Sequence, residues 1–224
     1  RGGCAINCRY CFRRHFPYQE NTLTARDIDG LVSYLKAHPE VNEVILSGGD
    51  PLMADDQALS GLFVRLESVS SIHRLRIHTR LPIVIPERVT DLLCQAIAAT
   101  ALPVVMVLHS NHANEIDQSV MDAVSQLRAV CRSVLNQSVI LKGINDSADV
   151  LIALSERLFE AGIDPYYLNV LDRVSGAHHF DVSDLEVAAL HQALLNALPG
   201  YLVPKLVREV PGIGHKVQWK GTTH

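Results

Sequence analysis

Apolar positions along this chain follow two alternating rhythms. After Thr24-Ala25-Arg26-Asp27, which reads as a capping box, Ile28, Leu31, Val32 and Leu35 recur on one face and predict a helix to about His38. Val41 to Leu46 is a short apolar run and reads as a buried strand. A helix from about Asp55 to Val69 and a strand from Ile72 to Thr79 follow. Pro86 at a helix start leads Val89, Leu92, Leu93 and Ile97 along another apolar face. Pro103 to His109, Ser133 to Leu141, Pro165 to Leu171 and Lys205 to Val210 read as further strands. Between them lie helices at Asn114 to Cys131, Ser147 to Ala161 and Ser183 to Leu198, the last opened by a second capping box, Ser183-x-x-Glu186. Asp172 to Val182 reads as an irregular loop.

Strands that alternate with helices imply a parallel sheet with helices packed against it. About six such units follow residue 24. Periodicity does not separate a flat doubly wound sheet from a barrel. In both, ligands gather at the C-terminal strand ends. The unusual polar residues fall there: Ser47-Gly48-Gly49-Asp50 after the first strand, His109 at the end of the third, Gln137 toward the end of the fourth, and a Pro211-Gly212-Ile213-Gly214-His215-Lys216 segment after the last. Two adjacent glycines let the backbone approach a ligand closely.

The 224 residues suffice for a single domain with one core, and 48% hydrophobic with 20% charged is ordinary globular composition. A net charge of −4 without a basic run gives no nucleic-acid footprint. No apolar stretch approaches the roughly 20 residues of a membrane span. Five cysteines without a disulfide framework point to a reducing cytoplasm. Cys94 and Cys131 fall in helical patterns and read as buried packing residues.

The other three cysteines change the picture. Cys4, Cys8 and Cys11 have the spacing C-x3-C-x2-C. Zinc sites pair cysteines as C-x2-C with a second pair or with histidines further on. A cubane cluster takes one thiolate per iron, so three thiolates leave one iron open to a chelating ligand. Three unrelated buried thiols or a zinc knuckle are the bland alternatives. The chain begins at Arg1 with this motif and without a preceding strand, so a missing N-terminal region is expected.

With Tyr10 before the third cysteine, Cys-Ala-Ile-Asn-Cys-Arg-Tyr-Cys resembles the radical S-adenosylmethionine (SAM) signature. In the wider match the sequence is similar to the lysine 2,3-aminomutase family. The residues that carry this are CAINCRYCFRRH, SGGDPL, Arg76 to Arg80, His109 to Glu115, Leu135 to Ser138, Lys142 to Asp146, Tyr166 to Phe180 and the segment closing at Lys216. The resemblance implies an incomplete parallel α/β barrel of the radical SAM type, one domain over residues 1–224, with a C-terminal segment of about 205–224. It implies a [4Fe–4S] cluster on Cys4, Cys8 and Cys11, and SAM held by Ser47, Gly48, Gly49 and Asp50. It implies pyridoxal 5′-phosphate (PLP) in Schiff-base linkage with Lys216. Tyr10, His109 and Gln137 would touch SAM or PLP. Arg13 would fork onto the substrate carboxylate. Asp172 and Glu209 would receive the distal ammonium of L-lysine, although Asp172 could instead cap a loop and Glu209 could pair with Arg208 or Lys205.

The implied activity is isomerisation of L-α-lysine to β-lysine, with an external electron donor reducing the cluster. Phe12, Ile213 and His215 look like the compact bacterial branch, whose product reaches elongation factor P through a ligase. The resemblance admits a homo-oligomer. Two other readings stay open: a radical SAM enzyme without PLP acting on another substrate, and a non-catalytic iron–sulfur redox module.

Overall fold

The computed structural model describes residues 3–11, 24–210 and 212–219. In chain order its elements are α1 (Ala25–Ala37), β1 (Glu43–Leu46), α2 (Asp56–Glu67), β2 (Arg74–Thr79), α3 (Leu81–Val84), α4 (Asp91–Ala99), β3 (Val104–Leu108), α5 (Gln118–Val130), β4 (Ser133–Val139), α6 (Ala148–Glu160), β5 (Asp164–Asn169), α7 (Asp184–Ala197), β6 (Lys205–Arg208) and β7 (Val217–Gln218). They form two compact units that interleave in sequence. Among the described residues, the first unit holds 3–6, 24–108 and 122–134, and the second holds the remainder.

In the first unit β1, β2 and β3 are parallel, with Leu46 opposite Ile77 and Thr79 opposite Leu108. Strand alternation buries Leu75 and Ile77 completely on one face of β2. Phe63 and Leu66 of α2 and Leu93 and Ile97 of α4 are likewise buried, and α2 lies against α4. Each such side chain contributes about 1.5–3 kcal/mol relative to exposure. β1 is half-exposed, with Ile45 at 46%, and does not form the buried strand its apolar run predicts. Among the described residues it pairs on one side only, as an edge strand does.

In the second unit β4, β5 and β6 are parallel, and β7 adds antiparallel to β6. Ile140, Leu151, Leu168, Val187, Leu194 and Leu206 form its main core. Both capping boxes are present. Thr24 Oγ1 accepts from Asp27 N while Thr24 N donates to Asp27, and Ser183 and Glu186 do the same at α7.

Two predicted helices begin later than their pattern suggests. Pro86–Arg88 is a single 3-10 turn, and α4 starts only after Thr90, whose hydroxyl accepts from Leu93 N at 3.1 Å. That interruption turns the Arg88 guanidinium back to the carbonyls of Leu52 and Ala54 and to Asp56. Ala113–Glu115 is likewise one 3-10 turn, because the Glu115 carboxylate reaches back to the Asn111 and His112 amides. Asp117 then caps α5 through Val120 N. The strand β7 was not legible in the sequence, since two residues are too short for a period-2 signal.

Candidate active site

The first unit carries the glycine turn. Ser47, Gly48, Gly49 and Asp50 follow β1 at its C-terminal end, where a parallel sheet places ligands. Gly48 has φ +124°, a conformation that side chains with a Cβ rarely adopt. Asp50 N donates to Gly3 O at 2.9 Å, which ties the turn to the backbone beside Cys4. The Asp50 carboxylate is buried, at 8% exposure, and already saturated. One oxygen accepts from Leu52 N and from the Thr79 hydroxyl at 2.6 Å; the other accepts from Arg80 N at 2.8 Å and Leu81 N at 3.2 Å. A carboxylate has about four acceptor sites. The accessible part of the turn is therefore the backbone of Ser47, Gly48 and Gly49, with Asp50 as the staple beneath it.

The second unit carries Cys8 to Cys11. Cys11 N donates to Cys8 O at 3.1 Å and closes a tight turn. The Tyr10 ring stacks against His109, its hydroxyl 2.7 Å from His109 Nε2, and meets Phe180 edge-on. The Arg9 guanidinium lies 5.3 Å over the Phe180 ring. Buried Asn111 donates from Nδ2 to the Tyr10 hydroxyl, and its Oδ1 accepts from Val139 N at 2.8 Å. Asn145 donates to the Asn111 carbonyl. Asn136 and Ser138, on the buried face of β4, bond to the backbone of Ser110. Buried polar groups demand such partners. Asn111 and this asparagine network had no assigned role in the sequence. The legible signal was polar residues at the buried phase of an otherwise apolar strand.

Lys216 lies in the same unit. Extending the β6–β7 register, in which Arg208 faces Val217, places Lys216 opposite Glu209. Its Nζ is 3.2 Å from Glu209 Oε1 and donates to Asn169 Oδ1 at 2.7 Å, and it lies 5.4 Å from the Tyr167 ring centre. Asp172, just beyond β5, senses both neighbours. Burial first, then the Glu209 charge, hold its carboxyl above the ordinary range, and the Lys216 charge pulls the other way. Arg208 is engaged elsewhere, paired with Asp184 and stacked 4.1 Å over Trp219. Glu209 thus pairs with Lys216, not with Arg208. The Lys216 segment runs directly into β7.

Gln137 lies inside β4, at a register shift between Asn136 and Gln137, and not at the strand end its sequence position suggests. Arg13 falls outside the described residues, as do Phe12 and Pro211. Cys94 and Cys131 are half-buried rather than fully buried. Burial, with Cys94 beside it, pushes the Cys131 thiol up to about 12, so it remains a protonated packing group.

The donor chemistry at Cys4, Cys8 and Cys11 suits a cubane. All three carry thiols, exposed to half-buried, rather than disulfides. Among the described residues no three His, Cys, Asp or Glu side chains are gathered around a single ion. A cubane does not ask for that, because each thiolate takes a different iron. Among the described residues, no helix is long and apolar enough to cross a membrane.

Residues 2–154 match the radical SAM superfamily. The chain is 54% identical over 216 residues to a protein of Haemophilus influenzae named L-lysine 2,3-aminomutase, covering 96% of this chain and 64% of that protein. It is 53% identical over 212 residues to the Escherichia coli protein of the same name, covering 95% and 62%. It therefore spans a little under two thirds of the length of these relatives. Among solved structures, Streptococcus suis SuiB bound to S-adenosylmethionine superposes with a TM-score of 0.64 at 17% identity, over 93% of this chain and 48% of that one. A radical SAM methyltransferase from Sphaerobacter thermophilus gives 0.58 at 16% identity, over 92% and 63%. The fold is the expected incomplete parallel α/β barrel. With a three-thiolate loop, a glycine turn at the end of β1 and a family match spanning both, the chain belongs to the radical SAM superfamily, whose members use a [4Fe–4S] cluster and SAM.

Proposed function

We propose that this chain carries the catalytic core of an L-lysine 2,3-aminomutase, interconverting L-α-lysine and β-lysine with SAM and PLP. The observation that carries the reading is the grouping of one amine with two carboxylates, Lys216 with Asp172 and Glu209, beyond the C-terminal ends of β5 and β6. A lysine substrate needs such a pair for its distal ammonium, because burying a cation is costly unless carboxylates meet it. The relatives named L-lysine 2,3-aminomutase support the same substrate.

In this reading Cys4, Cys8 and Cys11 hold three irons, and the backbone of residues 47–49 meets the SAM amino group. Asp50 keeps that backbone in place. Tyr10, fixed by His109 and Asn111, sets the orientation of the cysteine turn. Gln137, half-buried on β4, and His109 line the cofactor region. Arg13 binds the substrate carboxylate. When bound, SAM would supply hydrogen-abstracting radical chemistry and PLP the π-bond across which nitrogen moves. Lys216 would provide the amine that holds PLP. The protein's remaining task is to position the reactants and exclude water.

The reading extends to an external electron donor, a cytoplasmic setting, a homo-oligomer, and delivery of β-lysine toward elongation factor P through its ligase. The delivery rests on Phe12, Ile213 and His215, which resemble the compact bacterial branch.

The test is anaerobic. The chain is reconstituted with iron and sulfide, reduced with dithionite, and given SAM, PLP and L-lysine. Both 5′-deoxyadenosine and β-lysine should form, and β-lysine should vanish in Lys216→Ala. Deoxyadenosine without β-lysine would overturn the substrate. Neither product from a chain with an intact cluster would favour a non-catalytic iron–sulfur module.

A further inference from the structure

The Lys216 amine has two partners of different kinds, a neutral amide and a carboxylate. Glu209 is 61% exposed and reaches it at 3.2 Å; Asn169 is half-buried, the last residue of β5, and reaches it at 2.7 Å. The orientation of the Asn169 amide is forced. Its Nδ2 donates to the Ser138 carbonyl of β4 at 2.9 Å. A flipped amide would set oxygen against oxygen there and hydrogens against the Lys216 ammonium. The main chain of β4 thus aims Asn169 Oδ1 at Lys216. Nothing in the sequence pattern singles out Asn169, and the mechanism above does not use it.

We propose that Asn169 is a positioning residue that holds the Lys216 amine at the end of β5 whenever that amine is not bonded to cofactor. The consequence for turnover rests on the lysine aminomutase reading. An amine shared with a neutral acceptor is held less firmly by Glu209, so the distal ammonium of the substrate can displace it from the two carboxylates. Without Asn169, Lys216 would rest on Glu209 alone and would compete more strongly with lysine for the two carboxylates. A neutral acceptor suits the task, because a third carboxylate would hold the amine too tightly to be returned.

The test reads the amine directly in the cofactor-free chain. Lysines are labelled with acetic anhydride at low occupancy and the Lys216 rate is followed by peptide mass spectrometry. Removing an acceptor from a charged donor that is partly exposed should speed labelling of Lys216 about three- to tenfold in Asn169→Leu. Asn169→Asp, which keeps an acceptor, should label no faster than wild type. Trp219, the only tryptophan, follows β7 and reports whether the strand stays docked. Its acrylamide quenching should be unchanged in both variants. Unchanged Lys216 labelling in Asn169→Leu would overturn the proposal. So would a rise that comes with greater Trp219 quenching, which would mean a strand that has come loose. Acceleration only in Glu209→Gln would assign the hold to the carboxylate alone and also overturn it. In the loaded enzyme, Asn169→Leu should raise KM for L-lysine more than it lowers kcat. Failure to form β-lysine in the wild-type chain would sink the aminomutase reading and leave the labelling result to decide Asn169.

Discussion

Asp50→Ala should destabilise the chain before it affects cofactor binding. The carboxylate accepts from Leu52 N, the Thr79 hydroxyl, Arg80 N and Leu81 N, at 8% exposure. Alanine removes all four acceptor contacts at once. Leu81 N keeps a second acceptor in Thr79 Oγ1, and the Thr79 hydroxyl can turn. The Leu52 and Arg80 amides lose the charged oxygen outright. A buried donor deprived of its acceptor costs about 1–3 kcal/mol, so the expected loss is roughly 3–5 kcal/mol after allowing for relaxation. At about 2–4 °C per kcal/mol for a chain of this size, the melting temperature should fall by roughly 10 °C. Asn at this position keeps one oxygen but turns an NH2 group toward either the Arg80 and Leu81 amides or the Leu52 amide and Thr79. It should cost roughly half as much. Urea unfolding followed by circular dichroism measures both variants, with an unchanged m-value showing that stability alone has moved. SAM binding to the reconstituted protein is measured at a temperature where each variant is folded. A loss below about 1 kcal/mol together with a collapse of SAM affinity would refute this account, making Asp50 a ligand and not a staple.

The remaining expectations concern the second unit and the helix ends. Because the folded state raises the Asp172 carboxyl, through burial and then Glu209, it binds that proton more tightly than the unfolded chain. The associated stability is present below the ordinary carboxylate value and is lost as pH rises through the raised one. Asp172→Asn should therefore resist urea better than wild type at pH 7, and the advantage should shrink through about pH 4 and disappear by about pH 3; an equal advantage at about pH 7 and about pH 3 would contradict it. Tyr10→Phe removes the hydroxyl shared by His109 and Asn111 and should cost about 0.5–1.5 kcal/mol in thermal unfolding, with weaker SAM retention by the reconstituted protein. Thr24→Ala and Ser183→Ala each remove a capping-box hydroxyl and should each cost about 1 kcal/mol by urea titration, additively, since they cap different helices.

The order of strands and helices was legible because apolar periodicity is a local signal, and both capping boxes could be read letter by letter. The starts of α4 and α5 were misplaced for a different reason. Arg88 and Glu115 bond to backbone carbonyls and amides outside a regular helix, and a helical pattern carries no trace of such partners. β1 was misjudged because an apolar run does not say how many strands flank it.

For the candidate site, the residue types were visible and their engagement was not. C-x3-C-x2-C and the glycine turn are contiguous, so spacing alone exposes them. Asp50 in isolation reads as a ligand; only four donors, arriving from Leu52, Thr79, Arg80 and Leu81, show its carboxylate already used. The pairing of Lys216 with Glu209 depends on β7, two residues that form a strand only because β6 offers an open edge. Asn169 matters through Lys216, 47 positions away, and through a carbonyl of a neighbouring strand that aims its amide. The sequence by itself determined the chemistry this chain can carry, since thiolate spacing and helix periodicity are properties of neighbours along the chain. Which polar groups are spent on holding the fold and which are offered to a ligand was decided only by the tertiary structure, because hydrogen-bond saturation depends on partners that the chain brings together from a distance.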